Sequence, residues 1–148
     1  MKDIGVNIDR HLPYLLAKAS AIVSLQIDDI AMTVGMLRNE IKVLIALSDS
    51  YFNTTGCTLN QLSEVLMVKQ STLSRVVEAL VIEGFLERKT TMTDRRAINI
   101  NLTRLGTERA EILVNHAKKL DYQLREKLGN KETETLVEVL NQVIRRVR

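Results

Sequence analysis

One cysteine, one proline and no tryptophan occur among the 148 residues of this chain. A lone Cys57 excludes an intrachain disulfide. Pro13 fits a helix only in the first turn, where its missing N–H is not needed. Three tyrosines and two phenylalanines are too few for a platform on which single-stranded bases stack, and five methionines point to adaptable packing instead. Two histidines, His11 and His116, lie far apart, so with one cysteine they could complete a zinc site only with carboxylates. Ordinary surface histidines are the simpler reading. No Gly-rich phosphate loop, nucleophile elbow or metal-spaced cluster is visible, so neither an enzyme nor a cofactor or metal is expected. No apolar run approaches the ~18 residues of a membrane span. Met1-Lys2-Asp3 leads into no signal-like apolar stretch, which makes a cytoplasmic location the expectation. Repeats, low-complexity tracts and linkers are also missing, and the length suits one domain.

Net charge is small, formally +3, but it is localised. Between Val68 and Arg104 stand seven cations (Lys69, Arg75, Arg88, Lys89, Arg95, Arg96, Arg104) against four anions, whereas the rest of the chain holds fourteen of each. A local basic excess is what contact with phosphates requires, although a run of charge is more often a solvated turn.

The same region carries the clearest periodicity. Leu73, Val76, Val77 and Leu80 recur at the i, i+3, i+4, i+7 spacing of a helix, leaving Gln70, Ser71, Ser74, Arg75 and Glu78 on the opposite face. Gly84 supplies a left-handed stop, and Phe85 can pack back on the last turn. The period then changes to two: Ile98, Ile100 and Leu102 alternate with Asn99 and Asn101, predicting a strand that pairs with Leu86-Glu87-Arg88-Lys89. The polar stretch from Thr90 to Arg96 is the expected hairpin tip.

A helix with a polar face followed by a basic hairpin is the order of a winged helix-turn-helix. Leu80, Gly84-Phe85-Leu86-Glu87-Arg88, Asp94-Arg95-Arg96-Ala97 and Leu102-Thr103-Arg104-Leu105-Gly106 resemble the signature of the MarR family of bacterial transcription regulators, and the resemblance covers nearly the whole chain. It implies a mainly α fold with a small two-stranded β wing. It also implies a homodimer on double-stranded DNA, with the second helix of the motif in the major groove and the wing tip in the minor groove. The Asp-x-Arg pair of the wing matches Asp94 and Arg96, the carboxylate holding the loop or an arginine in place. Two positions depart from the pattern: Leu37 stands where a Ser or Thr often caps the second helix, and Lys69 where an acidic or polar cap often opens the recognition helix. Some MarR proteins sense oxidants through a cysteine, usually on the first helix; Cys57 adjoins Thr58 in a loop and reads as a small filler. By resemblance, a pocket between the dimer helices and the DNA-binding lobe takes a small aromatic acid, with His11, Tyr14 and Lys18 as contacts.

Elsewhere, apolar spacing predicts a helix over Leu12 to Val34 that Gly35 ends, and a buried helix over Arg38 to Ser48. Ser48 to Cys57 reads as a loop, and Thr58-Leu59-Asn60-Gln61 is a capping box opening a helix with Leu59, Leu62 and Leu66 inward. Thr103 caps a helix to about Leu128, Gly129 stops it, and Asn130 caps the last one. That last helix ends in the stripe Leu136, Val137, Leu140, Val143, Ile144 and Val147.

The expectation is one domain over residues 1–148, with a DNA-binding lobe at about 36–103 and dimerisation helices at about 8–34 and 104–148. Leu12, Leu136, Leu140, Val143, Ile144 and Val147 are the interface candidates. Lys69, Gln70, Ser71, Thr72, Ser74 and Arg75 are placed in the major groove, and Arg88, Lys89, Asp94, Arg95 and Arg96 complete the DNA-binding set. A repressor on a pseudo-palindromic duplex is the leading reading. The alternatives are a small-molecule or redox sensor with a secondary DNA role, and a protein-interaction module on the same fold.

Overall fold

The computed structural model describes residues 5–90 and 96–147. After a short 3-10 turn at Ile8–Arg10 come α1 (Leu12–Val34), α2 (Arg38–Ser48), α3 (Ser50–Asn53), α4 (Leu59–Leu66) and α5 (Gln70–Ile82). The strands β1 (Leu86–Thr90) and β2 (Ile98–Leu102) follow, and α6 (Arg104–Leu128) and α7 (Asn130–Arg146) close the chain.

Local chemistry accounts for most boundaries. Pro13 sits in the first turn of α1, and Gly35 ends it at φ 66°. Leu37 has no oxygen to cap α2, but its own N–H donates to the Glu40 carboxylate at 2.7 Å, so the helix starts where the periodicity places it. Lys69 likewise opens α5 with no side-chain cap. At α4, Thr58 accepts from the Gln61 N–H at 3.2 Å while the Gln61 side chain accepts from the Thr58 N–H at 2.9 Å, the reciprocal pair expected. The turn between α4 and α5 lacks a glycine, and Met67 takes the left-handed position at φ 53°; the Ser63 hydroxyl donates to the Val68 carbonyl at 2.8 Å and fastens the turn. Gly84, at φ 81°, ends α5: its N–H donates to Val81 O at 3.0 Å and that of Phe85 to Leu80 O at 2.9 Å.

Two sequence-based expectations are corrected. The stretch Ser48 to Cys57 is not all loop, because Asp49 accepts from the Tyr51 N–H at 2.9 Å and Phe52 is buried, which together nucleate the single turn of α3. Gly129 rather than Asn130 occupies the cap of α7; Asn130 is already helical, and the buried Thr133 donates its hydroxyl to Gly129 O at 2.7 Å.

The core lies around α2, whose Val43, Leu44 and Leu47 are buried against α4, α5 and α6. β1 and β2 pair antiparallel with Leu86 opposite Leu102 and Arg88 opposite Ile100. Cys57 extends this sheet: its N–H donates to Ile100 O at 3.1 Å, and that of Ile100 to Cys57 O at 2.8 Å. The ends of the chain differ sharply from this centre. Of the 23 residues of α1 only Ala31 is buried, and in α7 only Thr133.

Candidate nucleic-acid interface

α5 is two-faced as its periodicity requires. Leu73, Val77 and Leu80 are buried in the core, while Gln70, Ser71, Thr72, Ser74 and Arg75 are exposed together, with Lys69 exposed at the helix start. Burying the apolar stripe fixes the rotation of the helix, so the hydroxyl, amide and guanidinium groups have to point outward as a set. Gln70 is not idle there: its Nε2 donates to Asn60 Oδ1 of α4 at 2.8 Å, and Asn60 in turn donates to Glu64 at 3.2 Å.

Ser71, Thr72, Arg75 and Val76 share a cleft of about 430 Å³ with Leu37, Arg38 and Asn39 from the start of α2. Arg38, Asn39 and Asn60 were not among the residues expected from sequence. No local pattern marks them, since they reach α5 only through the packing of α2 and α4 against it. Arg38 also meets Asp28 of α1 in a two-pronged pair, Nε to Oδ1 at 2.8 Å and Nη2 to Oδ2. Hydrogen bonding from the Arg38 guanidinium holds the Asp28 carboxyl below the usual carboxylate range.

The wing cations of β1 are engaged in ion pairs. Arg88 on β1 reaches back to Glu78 of α5 at 2.8 Å, tying the wing to the recognition helix, and Lys89 pairs with Glu87 at 2.5 Å. Arg96 is exposed in the turn before β2. Asp94 and Arg95 lie outside the described residues.

The remaining candidates fall elsewhere. His11 caps α1 without a side-chain bond, and Lys18 Nζ sits 5.9 Å from the centre of the Tyr14 ring. These three do not line the apolar cavity of about 240 Å³ between α1, α2 and α6, which is walled by Ile27, Ile30, Ile41, Ile45, Leu113 and Leu120 among others. Leu12, Leu136, Ile144 and Val147 are exposed, whereas Leu140 and Val143 are half-buried. Val143, Ile144 and Val147 border a groove with Val65 of α4 and Met67 of the turn that follows it. Cys57 is fully buried, its thiol donates to Thr58 O at 3.2 Å, and burial pushes its pKa up to about 11, as suits a core filler. Among the described residues no cluster of three or more His, Cys, Asp or Glu could hold a metal, and no helix is long and apolar enough to cross a membrane.

The model of the MarR family matches residues 38–98, from the start of α2 to the start of β2. A MarR family transcriptional regulator from Silicibacter pomeroyi shares the architecture with a TM-score of 0.83 at 25% identity, over 97% of this chain and 100% of its own. MepR of S. aureus, solved as a DNA complex, superposes with a TM-score of 0.82 at 19% identity, over 97% of this chain and 100% of its own. BpsR of Bordetella bronchiseptica, whose DNA binding is regulated by 6-hydroxynicotinic acid, gives 0.80 at 21% identity, over 94% and 96%. Residues 38–98 thus match the model of the MarR family of transcription regulators, and the fold around them, a helix-turn-helix with a two-stranded wing framed by long terminal helices, is the one these solved regulators share.

Proposed function

We propose that this chain is a sequence-specific repressor that binds a pseudo-palindromic DNA duplex as a homodimer. The observation that carries the reading is the outward set Gln70, Ser71, Thr72, Ser74 and Arg75 on a helix whose other face is locked into the core. Arg pairs with guanine and Gln with adenine in the major groove, and the wing cations supply phosphate or minor-groove contacts. The dimer reading is supported by α1 and α7, which bury almost nothing in their own chain. A DNA complex of MepR, a relative in fold, is in keeping with this function.

Selecting bound sequences from a random DNA pool tests the reading and supplies a site. On that site Arg75→Ala is expected to relax preference at particular bases by about 1–3 kcal/mol. Arg96→Ala should instead weaken binding to every sequence and flatten the salt slope by roughly 0.9, one phosphate's worth. If the two variants behave alike, the division between reading helix and wing is wrong.

Release by a small aromatic acid completes the reading. The apolar cavity between α1, α2 and α6 is where such an acid would lie, with Lys42 and Asp121 as the charged residues of its lining. A ligand releases DNA only through differential affinity for the two conformations. Salicylate is therefore expected to raise the melting temperature and to weaken DNA binding in the same preparation; a change in neither removes the effector from the proposal.

A further inference from the structure

We infer that Arg38 of α2 is a further DNA-phosphate contact, outside both the recognition helix and the wing, and that Asp28 of α1 is the residue that positions it. This rests on the DNA-binding reading above. Arg38 stands between two unlike clefts. On one side are Asp28, Glu40 and Glu83; on the other are Asn39, Ser71, Thr72 and Arg75, with no carboxylate. The acidic side engages one edge of the guanidinium, Nε and Nη2 meeting the two oxygens of Asp28. Among the described residues Nη1 has no partner, and it is left for an outside acceptor.

Stability does not explain the arrangement. Both side chains are 41% exposed, and ion pairs so placed contribute about 0–1 kcal/mol. What a two-pronged pair does provide is a fixed direction for a planar cation that would otherwise sample many rotamers. A phosphate beside the groove that receives α5 would find Arg38 in the same cleft as the Ser71 and Thr72 hydroxyls. Because Asp28 belongs to the long first helix, the pair also joins that helix to the DNA-facing side of the lobe.

The test measures binding of a fluorescein-labelled random-sequence duplex across a salt series, with melting temperatures alongside. Arg38→Ala should weaken binding about tenfold and lower the salt slope by about 0.9, with little change in melting temperature. Asp28→Asn should weaken binding several-fold although it removes a negative charge, and should do nothing further once Arg38 is alanine. An unchanged salt slope in Arg38→Ala overturns the contact. Tighter binding by Asp28→Asn overturns the positioning role, since it would mean that Asp28 merely neutralises Arg38. If Arg96→Ala loses affinity for the random-sequence duplex while Arg38→Ala does not, this inference fails and the DNA reading stands; if the unsubstituted protein ignores the duplex even at low salt, the DNA reading itself fails.

Discussion

Alanine at Gly106 is expected to lower the melting temperature by roughly 6–12 °C, from a loss of about 3 kcal/mol, the upper end of the usual range for forced overpacking. Gly106 lies in the first turn of α6, and a Cβ there would stand 1.9 Å from Phe85 O and 3.3 Å from Leu102 Cδ2. The carbonyl cannot easily move away. It accepts from the Thr103 N–H at 3.0 Å and from the Thr103 hydroxyl at 3.2 Å, and the Phe85 N–H is itself tied to Leu80 O. One small residue thus lets α6 pass over the junction of recognition helix and wing. Gly84→Ala is the useful contrast: its Cβ would meet only Leu105 Cδ2 at 3.9 Å, so the cost should be confined to the left-handed backbone, about 1–2 kcal/mol. Thermal melts at one fixed protein concentration compare the two, since the midpoint of a protein that dimerises, as proposed here, depends on concentration. A Gly106→Ala protein that melts within a degree or two of the parent would show that α6 can shift freely.

The double change Ile144→Asp with Val147→Asp is expected to convert the proposed homodimer into monomers. In the single chain Ile144 is 62% exposed and Val147 78%, so aspartates there are compatible with the folded protomer. Leu140, half-buried against its own chain, is the poorer choice because its replacement would disturb the protomer as well. In a dimer built through the terminal helices, four carboxylates would be desolvated without partners, at roughly 3 kcal/mol each. Dissociation by several orders of magnitude follows, and DNA affinity should fall with it because two half-sites would no longer be read together. Light scattering that finds the double variant still dimeric would move the interface away from the end of α7. Circular dichroism on the same sample distinguishes a folded monomer from an unfolded chain.

Much of the fold was legible before any coordinates. The helical spacing in Leu12 to Val34, the alternation in Ile98 to Leu102, the capping box at Thr58 and the stop at Gly84 all act between residues a few positions apart, so the sequence displays them directly. The resemblance to MarR signatures rests on such local runs, and the family model, over residues 38–98, covers all of them except Leu102 to Gly106. Local reading failed where a single contact decided the outcome, as when Phe52 found the core and turned part of a loop into α3, or when Thr133 shifted the start of α7 by one residue. It was silent on contacts made across the fold. Nothing near Arg38 in sequence says that it faces Asp28 on one side and Arg75 on the other, nothing near Gly106 says that Phe85 O lies against it, and nothing near Gln70 says that Asn60 holds its amide. The sequence by itself determined which stretches become helix or strand and which face of each is apolar, because hydrogen-bond period and side-chain polarity are properties of neighbours in the chain. Only the tertiary structure decided which polar groups meet around α5 and which apolar faces stay uncovered, because those depend on how α1, α2, α4 and α6 pack against one another over separations of tens of residues.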